Sequence, residues 1–511
     1  MADIVLTTLN ARYGHTAFGL RYLQANLGEL AERSVIMEFD LQKSPQEMAS
    51  HIASVNPAIV GIGVYIWNSR LIADLIRQLR AQMAKALIVL GGPEVSYEIS
   101  PELLELSDVV ISGEADLEFA KLCRRRLGGR SLQEKTLHSQ PPEPCDLALP
   151  YELYTDQDLA HRTLYVETSR GCPFSCEYCL SSVERSVRFF PLQPLLSSFK
   201  KLLDRGARHF KFADRTFNLN LPHCMEVLRF FLREYRPGLF LHCEMIPDRF
   251  PAELRALIQA FPPETLQFEI GIQTWNPEVA RRIQRIQDNA LIAENLHFLR
   301  QETGVYLHAD LIAGLPGESL DSFAEGFDRL AALQPHEIQV GLLKRLRGTA
   351  IGRHDKEWAM HYQTTPPYGL LSNKLLTEGE MDKIRRFAHY WDSIYNSGNF
   401  VGAASLLWQE GSPFQRFMYF SEALYAEFQR EHGIALDDLA AALYRHLTVA
   451  SPHSPEIIGS RMARDYFHSG RPRPPSFLKE YANNMLHHTP TPSRPGLQRQ
   501  ARHFAAARLE K

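Results

Sequence analysis

Twice along this chain of 511 residues, short apolar runs alternate with amphipathic helical stretches, and few architectures satisfy that alternation. In the first pass "DIVLTTLN" (3–10), "AIVGIGVYIW" (58–67), "ALIVLGG" (86–92) and "DVVISGE" (108–114) read as strands, each ending in Gly or polar residues. Between them, "GLRYLQANLGEL" and "NSRLIADLIRQLRAQM" repeat apolar residues at helical spacing. Strands that are apolar throughout must be covered on both faces. The expectation is therefore a doubly wound parallel sheet over 1–135, with ligands at the strands' C-terminal edge. "HSQPPEPCDLALP" (138–150) breaks both periods, so 136–160 reads as a linker.

The second pass has longer units. Strands are expected at "LYVETSR" (164–170), "HFKFAD" (209–214), "LFLHCEM" (239–245), "TLQFEIGIQ" (265–273), "VYLHADLIAG" (305–314) and "EIQVGLL" (337–343). Six β/α units fall short of the eight of a closed barrel and predict a partial, TIM-like (β/α)6 barrel over 161–365. Beyond it the strand signal fades into amphipathic helices such as "EGEMDKIRRFAHYWDSIYNSG" and "LDDLAAALYRHL", an all-α domain over 366–485. The Pro-, Arg- and His-rich end, 486–511, reads as a mobile tail. No internal repeat is present.

Composition narrows the setting. A formal net charge of −3 gives no global case for nucleic acid or an anionic membrane. No basic flank with an apolar signal region opens the chain, and no apolar run is long enough to span a bilayer. The seven cysteines are therefore expected to be thiols or metal ligands in a cytoplasmic protein.

Three of those cysteines, Cys172, Cys176 and Cys179, fall within "SRGCPFSCEYCLSS", directly after the first strand of the second pass. Three thiolates can hold a [4Fe–4S] cluster by three irons and leave the fourth open, whereas a structural zinc site would want a fourth ligand nearby. Cys-x3-Cys-x2-Cys at the mouth of a partial barrel resembles the radical S-adenosylmethionine (SAM) superfamily. The resemblance implies that SAM chelates the open iron, and that an electron from the cluster cleaves it to a radical that abstracts hydrogen from a substrate. Tyr178 matches the family's aromatic position near the adenine.

Strand ends supply further groups: Glu244 in "LHCEMIP", Gln273 in "FEIGIQTWN", Asp310 in "HADLIAGLPGE", and Arg285 after the helical run that follows Gln273. These look like the SAM-contacting set of enzymes related to the oxygen-independent coproporphyrinogen oxidase. Carboxylates and an amide suit ribose hydroxyls and an ammonium, and a guanidinium suits a carboxylate. The family's Gly-Gly-Glu after the second strand is replaced by "FADRTFNLN", where Asp214 is the expected substitute near the SAM amino group. Only Cys123 and Cys145 precede the motif and none follows Cys243, so a single cluster is expected, with Cys224 and Cys243 as core thiols.

The N-terminal strands, in this order, resemble the cobalamin-binding domain that precedes the barrel in B12-binding radical SAM proteins. The resemblance assigns Gly63, Asn68, Gly91, Gly92, Gly113 and Glu114 to that cofactor, with Gly92 the position where added bulk should hurt most. The Asp-x-His-x-x-Gly signature is absent, so cobalamin is expected to bind without a histidine below the metal. His15, Arg12 and Tyr13 stand in the corresponding loop. The helical domain resembles an uncharacterised extension of some B12-type radical SAM proteins, most clearly at "YNSG" (395–398).

Together these features predict a cobalamin-dependent radical SAM methyltransferase acting on an unactivated carbon of a small molecule. A donor such as flavodoxin or ferredoxin would supply electrons, and no membrane would be involved. The alternatives are a non-methylating oxidation, cyclisation or rearrangement with the same cofactors, and an RNA modifier whose Arg-rich tail contacts nucleic acid. A non-enzymatic iron–sulfur protein is a further alternative, which the expected SAM-contacting set disfavours.

Overall fold

A computed structural model describes residues 2–468, 471, 473–482 and 497–507. The N-terminal sheet comprises β1 (Ile4–Asn10), β2 (Ser34–Asp40), β3 (Ile59–Gly63), β4 (Leu87–Gly91), β5 (Val109–Ser112) and β6 (Thr136–His138). All pairings are parallel and the spatial order is β2-β1-β3-β4-β5-β6. The order reverses between β1 and β3, which opens a crevice at their C-terminal ends. Helices Pro45–Ala53 and Ser69–Gln82 cover one face, and Phe18–Ala25 and Asp116–Leu127 the other. β2 lies at the sheet edge and is half-buried at every position, so it lacks the continuous apolar run that marks its neighbours.

The expected linker is pinned rather than loose. Its start pairs with β5 as β6, and its last helix, Asp156–His161, places Asp158 within 2.9 Å of both Arg21 and Arg162.

The second sheet runs β14-β13-β12-β11-β10-β7, all parallel, with the two end strands unpaired to each other. Its strands are β7 (Leu164–Val166), β10 (His209–Phe212), β11 (Phe240–Glu244), β12 (Leu266–Gln273), β13 (Tyr306–Ala313) and β14 (Glu337–Leu342). A short antiparallel pair, β8 (Ser169–Arg170) and β9 (Arg188–Phe189), stands at the mouth. This is the six-unit open barrel that the sequence predicts. Along β12 and β13 every second residue is fully buried outward, which leaves Glu269, Gly271 and Gln273, and His308 and Asp310, facing the interior.

The C-terminal helices Glu378–Trp391, Pro413–Phe428, Leu436–Ala450 and Pro455–His468 share a core with the barrel. Phe327, on the barrel helix Leu320–Ala332, meets Trp391, Phe387 and Phe414 at ring-centroid distances of 4.9, 5.1 and 5.7 Å.

The tail departs from expectation. Residues 498–507 form a helix docked against the N-terminal end of the barrel strands, where Gln500 Nε2 donates to Gln267 Oε1 at 2.9 Å. His503 and Phe504 pack against the ring of Tyr306 at 5.6 and 5.5 Å. Arg499 and Arg502 find their acceptors on β14 and the helical domain, which are remote in sequence. The rest of the expected mobile tail lies outside the described residues. Among the described residues no helix is long and apolar enough to cross a membrane.

Candidate functional site

The cysteine loop is clamped before it is functional. β8 and β9 pair Ser169 with Phe189 and Arg170 with Arg188, which brings the two ends of the loop together. Gly171 turns the chain at φ +91°, and a Cβ there would lie 2.1 Å from the Ser186 carbonyl oxygen, so only glycine fits. The Ser182 hydroxyl donates to the carbonyls of Cys176 and Cys179 at 2.8 and 2.7 Å. Glu177, buried between the cysteines, is held by His354 at 2.7 Å and Arg353 at 2.6 Å.

Cys172, Cys176 and Cys179 line one cavity of about 250 Å3 at the C-terminal ends of the barrel strands. Among the described residues no three potential ligands converge tightly enough for a single metal ion. Three thiols lining one cavity are the ligand count of a [4Fe–4S] cluster with one iron left open. Cys123, Cys224 and Cys243 are buried elsewhere and Cys145 is exposed; all are free thiols.

The same cavity gathers Tyr178, Glu244, Gln273, Arg285 and Asp310. Arg285 Nη1 lies 3.7 Å from Cys176 Sγ and 3.4 Å from the Tyr178 hydroxyl, and its Nη2 donates to the Gly271 carbonyl. Gln273 sits at φ +70° where the β12–β13 register shifts, a bulge that turns its amide back over Gly271. Burial, partly offset by Arg215, pushes the Glu244 carboxyl up; burial does the same to Asp310 against the pull of His308. Glu269 goes the other way. Burial would raise it, but the His242 hydrogen bond at 2.8 Å and Lys211 at 3.4 Å hold it low.

Asp214 does not reach this cavity. It is 1% exposed, and its oxygens accept from Thr168 N at 2.8 Å and from the Thr168 and Ser169 hydroxyls at 2.6 Å. It braces the strand leading into the cysteine loop. Its neighbour Arg215 lines the cavity instead and pairs with Glu244 at 2.9 Å. Arg215, Lys211, Glu269 and His308 were not foreseen from the sequence. Their alternation along β10 to β13 is the signal that could have found them.

A second cavity, of about 290 Å3, opens at the strand ends of the N-terminal sheet. Its floor is Gly61, Gly63, Gly91 and Gly92, its walls include Phe18, Tyr65 and Phe119, and Glu114 and Arg170 stand at its rim. A corrin is larger than this space, so the cavity could hold only part of such a cofactor. Glycine floor and apolar walls fit that use.

Other sequence expectations change. Asn68 is fully buried and both ends of its amide are spent: Oδ1 accepts from Tyr65 N at 2.8 Å, and Nδ2 donates to Thr8 Oγ1 and Leu9 O at 3.1 Å. It shapes the turn after β3 and has no group left for a ligand. Gly92 lies at φ +105°, and its Cβ would strike the Val64 carbonyl oxygen at 2.6 Å, so bulk there hits the protein's own backbone rather than cofactor space. Gly91 is the open position, with nothing nearer than 3.8 Å. Gly113, at φ +82°, is likewise crowded by Ser139. His15 Nδ1 pairs with the Tyr165 hydroxyl at 2.8 Å and does not line the cavity. Tyr13, in the same loop, accepts from Gln157 at 2.9 Å, and Arg12 is exposed.

Arg170 lines the N-terminal cavity and lies two residues before Cys172 of the other. Its guanidinium donates to Glu114 at 2.8 Å, Asp116 at 2.9 Å and Glu167 at 2.9 Å, and it lies 4.5 Å from the Tyr22 ring centroid. Arg188, its partner across the clamp, also reaches Glu114.

Comparison with known proteins finds relatives in sequence and in fold. Residues 4–122 match the B12 binding domain, 166–330 the radical SAM superfamily, and 356–493 a protein of unknown function, DUF4080. An uncharacterized methyltransferase of Pyrococcus horikoshii is 25% identical over 41% of this chain and 50% of its own length. The cobalamin-dependent radical SAM methyltransferase TokK of Streptomyces tokunonensis is 24% identical over 57% of this chain and 47% of its own. The chain thus spans about half the length of these curated relatives. In fold it is similar to the radical S-adenosylmethionine methyltransferase TsrM of Kitasatospora setae, solved with tryptophan substrate and a SAM analog. That likeness has a TM-score of 0.59 at 16% identity, over 72% of this chain and 80% of that one. The chain thus carries a B12-binding domain, a radical SAM domain and a DUF4080 region, in that order.

Proposed function

We propose that this chain is a cobalamin-dependent radical SAM methyltransferase acting on an unactivated carbon of a small molecule. The observation that carries the reading is the placement of two cavities at strand C-terminal ends, with Arg170 on the rim of one and Cys172 in the other. When bound, the cluster and SAM would supply a carbon-centred radical, and cobalamin a carrier for the methyl group.

The chain's own part is binding, orientation and exclusion of water. Cys172, Cys176 and Cys179 would hold three irons and leave one for SAM. Arg285 would take the SAM carboxylate, Glu244 and Asp310 its ammonium and ribose hydroxyls, and the turned-back Gln273 amide a further polar contact. Tyr178, half-buried beside Arg285, would offer a flat face for the adenine. The glycines of the N-terminal cavity would give cobalamin room at the strand ends, and His15, paired with the Tyr165 hydroxyl, does not line that cavity. The RNA-modifying alternative loses support, because Arg499 and Arg502 of the tail bond to protein acceptors. A cytoplasmic setting and a flavodoxin- or ferredoxin-type donor belong to the same proposal, and seven free thiols fit a reducing compartment.

Anaerobic reconstitution tests the reading. About four irons per chain, cluster and corrin bands in one visible spectrum, and formation of 5′-deoxyadenosine from SAM are expected. Zinc at the cysteines, or radical chemistry without any corrin uptake, would overturn it.

A further inference from the structure

The docked tail helix ends a row of charges that begins at the SAM cavity. From Asp310 Oδ1 the row passes 3.1 Å to His308 Nε2, and from His308 Nδ1 3.5 Å to Glu337 Oε2. Arg499 Nη1 then donates to that same oxygen at 2.8 Å, and Arg499 is anchored by both oxygens of Asp392 at 2.9 and 3.0 Å. Glu337 Oε1 accepts from the Tyr306 hydroxyl at 2.7 Å. Glu269, His242, Lys211 and Glu244 face the row from the neighbouring strands, and His503 faces Glu337 from the tail helix.

We propose that Arg499 is a positioning residue for the SAM site, acting through Glu337 and His308 on Asp310. The inference rests on the reading that Asp310 contacts SAM. The Glu337 side chain is 2% exposed, and a carboxylate so buried needs a cationic partner. With Arg499 present, Glu337 is neutralised from the tail side, and His308 is left to orient and charge-balance Asp310. Without it, His308 becomes the nearest cation to Glu337 and is drawn from Asp310, which then faces SAM with its orientation unsupported. The helix that follows the DUF4080 region in sequence would thereby set the affinity of a site on the far side of the barrel floor.

The test is the SAM dissociation constant of the full-length, cluster-reconstituted protein, measured by equilibrium dialysis at matched iron content. Arg499→Gln should raise it roughly two- to thirtyfold, the usual range for coupling through a packed network. Arg499→Lys should restore most of the loss by keeping the charge. Gln500→Ala removes a tail-helix contact to Gln267 outside the row and should leave SAM affinity at the parent value. If Gln500→Ala weakens SAM as much as Arg499→Gln, docking alone is responsible and the inference falls. It falls equally if Asp310→Asn weakens SAM while Arg499→Gln does not. Parent-like affinity in Asp310→Asn would instead refute the underlying assignment of Asp310.

Discussion

Gly91 offers the sharpest test of the N-terminal cavity. It ends β4 with an ordinary strand backbone, and an added Cβ would meet nothing nearer than the Ile111 carbonyl oxygen at 3.8 Å. A valine there suits a strand and would project its methyl groups into the 290 Å3 cavity, leaving the unliganded fold intact. Overfilling a shaped apolar space costs about 1–3 kcal/mol, so Gly91→Val should weaken cobalamin binding roughly five- to 150-fold. Gly92→Ala is the contrast. At φ +105°, with Val64 O 2.6 Å from its Cβ, it stores about 1–3 kcal/mol of backbone strain whether or not cofactor is present. The assay is corrin uptake by visible absorbance, paired with thermal unfolding of the cofactor-free proteins. Gly91→Val should lose corrin at a parent-like melting temperature with full iron content, and Gly92→Ala should melt early. Corrin binding of parent strength in Gly91→Val would remove the cavity from the cofactor's path.

Other outcomes follow from single contacts. Replacing Cys172, Cys176 and Cys179 together by Ala should bring iron after reconstitution near zero, while corrin uptake persists in the separate N-terminal cavity. Arg170→Met leaves Glu167 and Asp116 buried without their cation and should destabilise the cofactor-free protein by about 3–5 kcal/mol in denaturant titration; a loss below about 1 kcal/mol would show the junction is solvated. Glu318, 2% exposed and bonded only to Thr274, has its carboxyl pushed by burial from 4.5 up to about 7. The folded state then binds the extra proton between those values, so stability falls as pH rises through 4.5 to 7, by about 3 kcal/mol in all. Glu318→Gln should therefore raise the melting temperature at pH 8 and leave it unchanged near pH 4, and an equal gain at both would refute the titration.

Much of the fold was legible because its signals are local. Apolar runs ending in glycine or polar residues marked β1, β3, β4 and β5, and apolar-rich runs between helical patterns marked the six barrel strands. β2 escaped because an edge strand half-buried along its length has no such run. The docked tail escaped for a different reason: what orders it is remote in sequence, with Arg499 reaching Glu337 and Asp392, and Gln500 reaching Gln267. Composition alone cannot tell an arginine with a buried acceptor from one in water.

The site shows the same division more finely. Residue type and strand-end position located Glu244, Gln273, Arg285 and Asp310 in one cavity, but orientation decided the rest. Asp214 and Arg215 are adjacent; the carboxylate turns inward to hold Thr168 and Ser169, and the guanidinium turns to Glu244 in the cavity. Near a strand end successive side chains point to opposite sides, so a one-residue difference exchanges a brace for a ligand-facing group. Glu114 shows the converse case. Sequence placed it at the cofactor's turn, and it does stand at the cavity rim, yet its oxygens are taken by Arg170 and Arg188 of the cluster clamp. Its two ion pairs therefore tie the end of the N-terminal sheet to the strands that flank Cys172, so the carboxylate serves as a brace between the two domains.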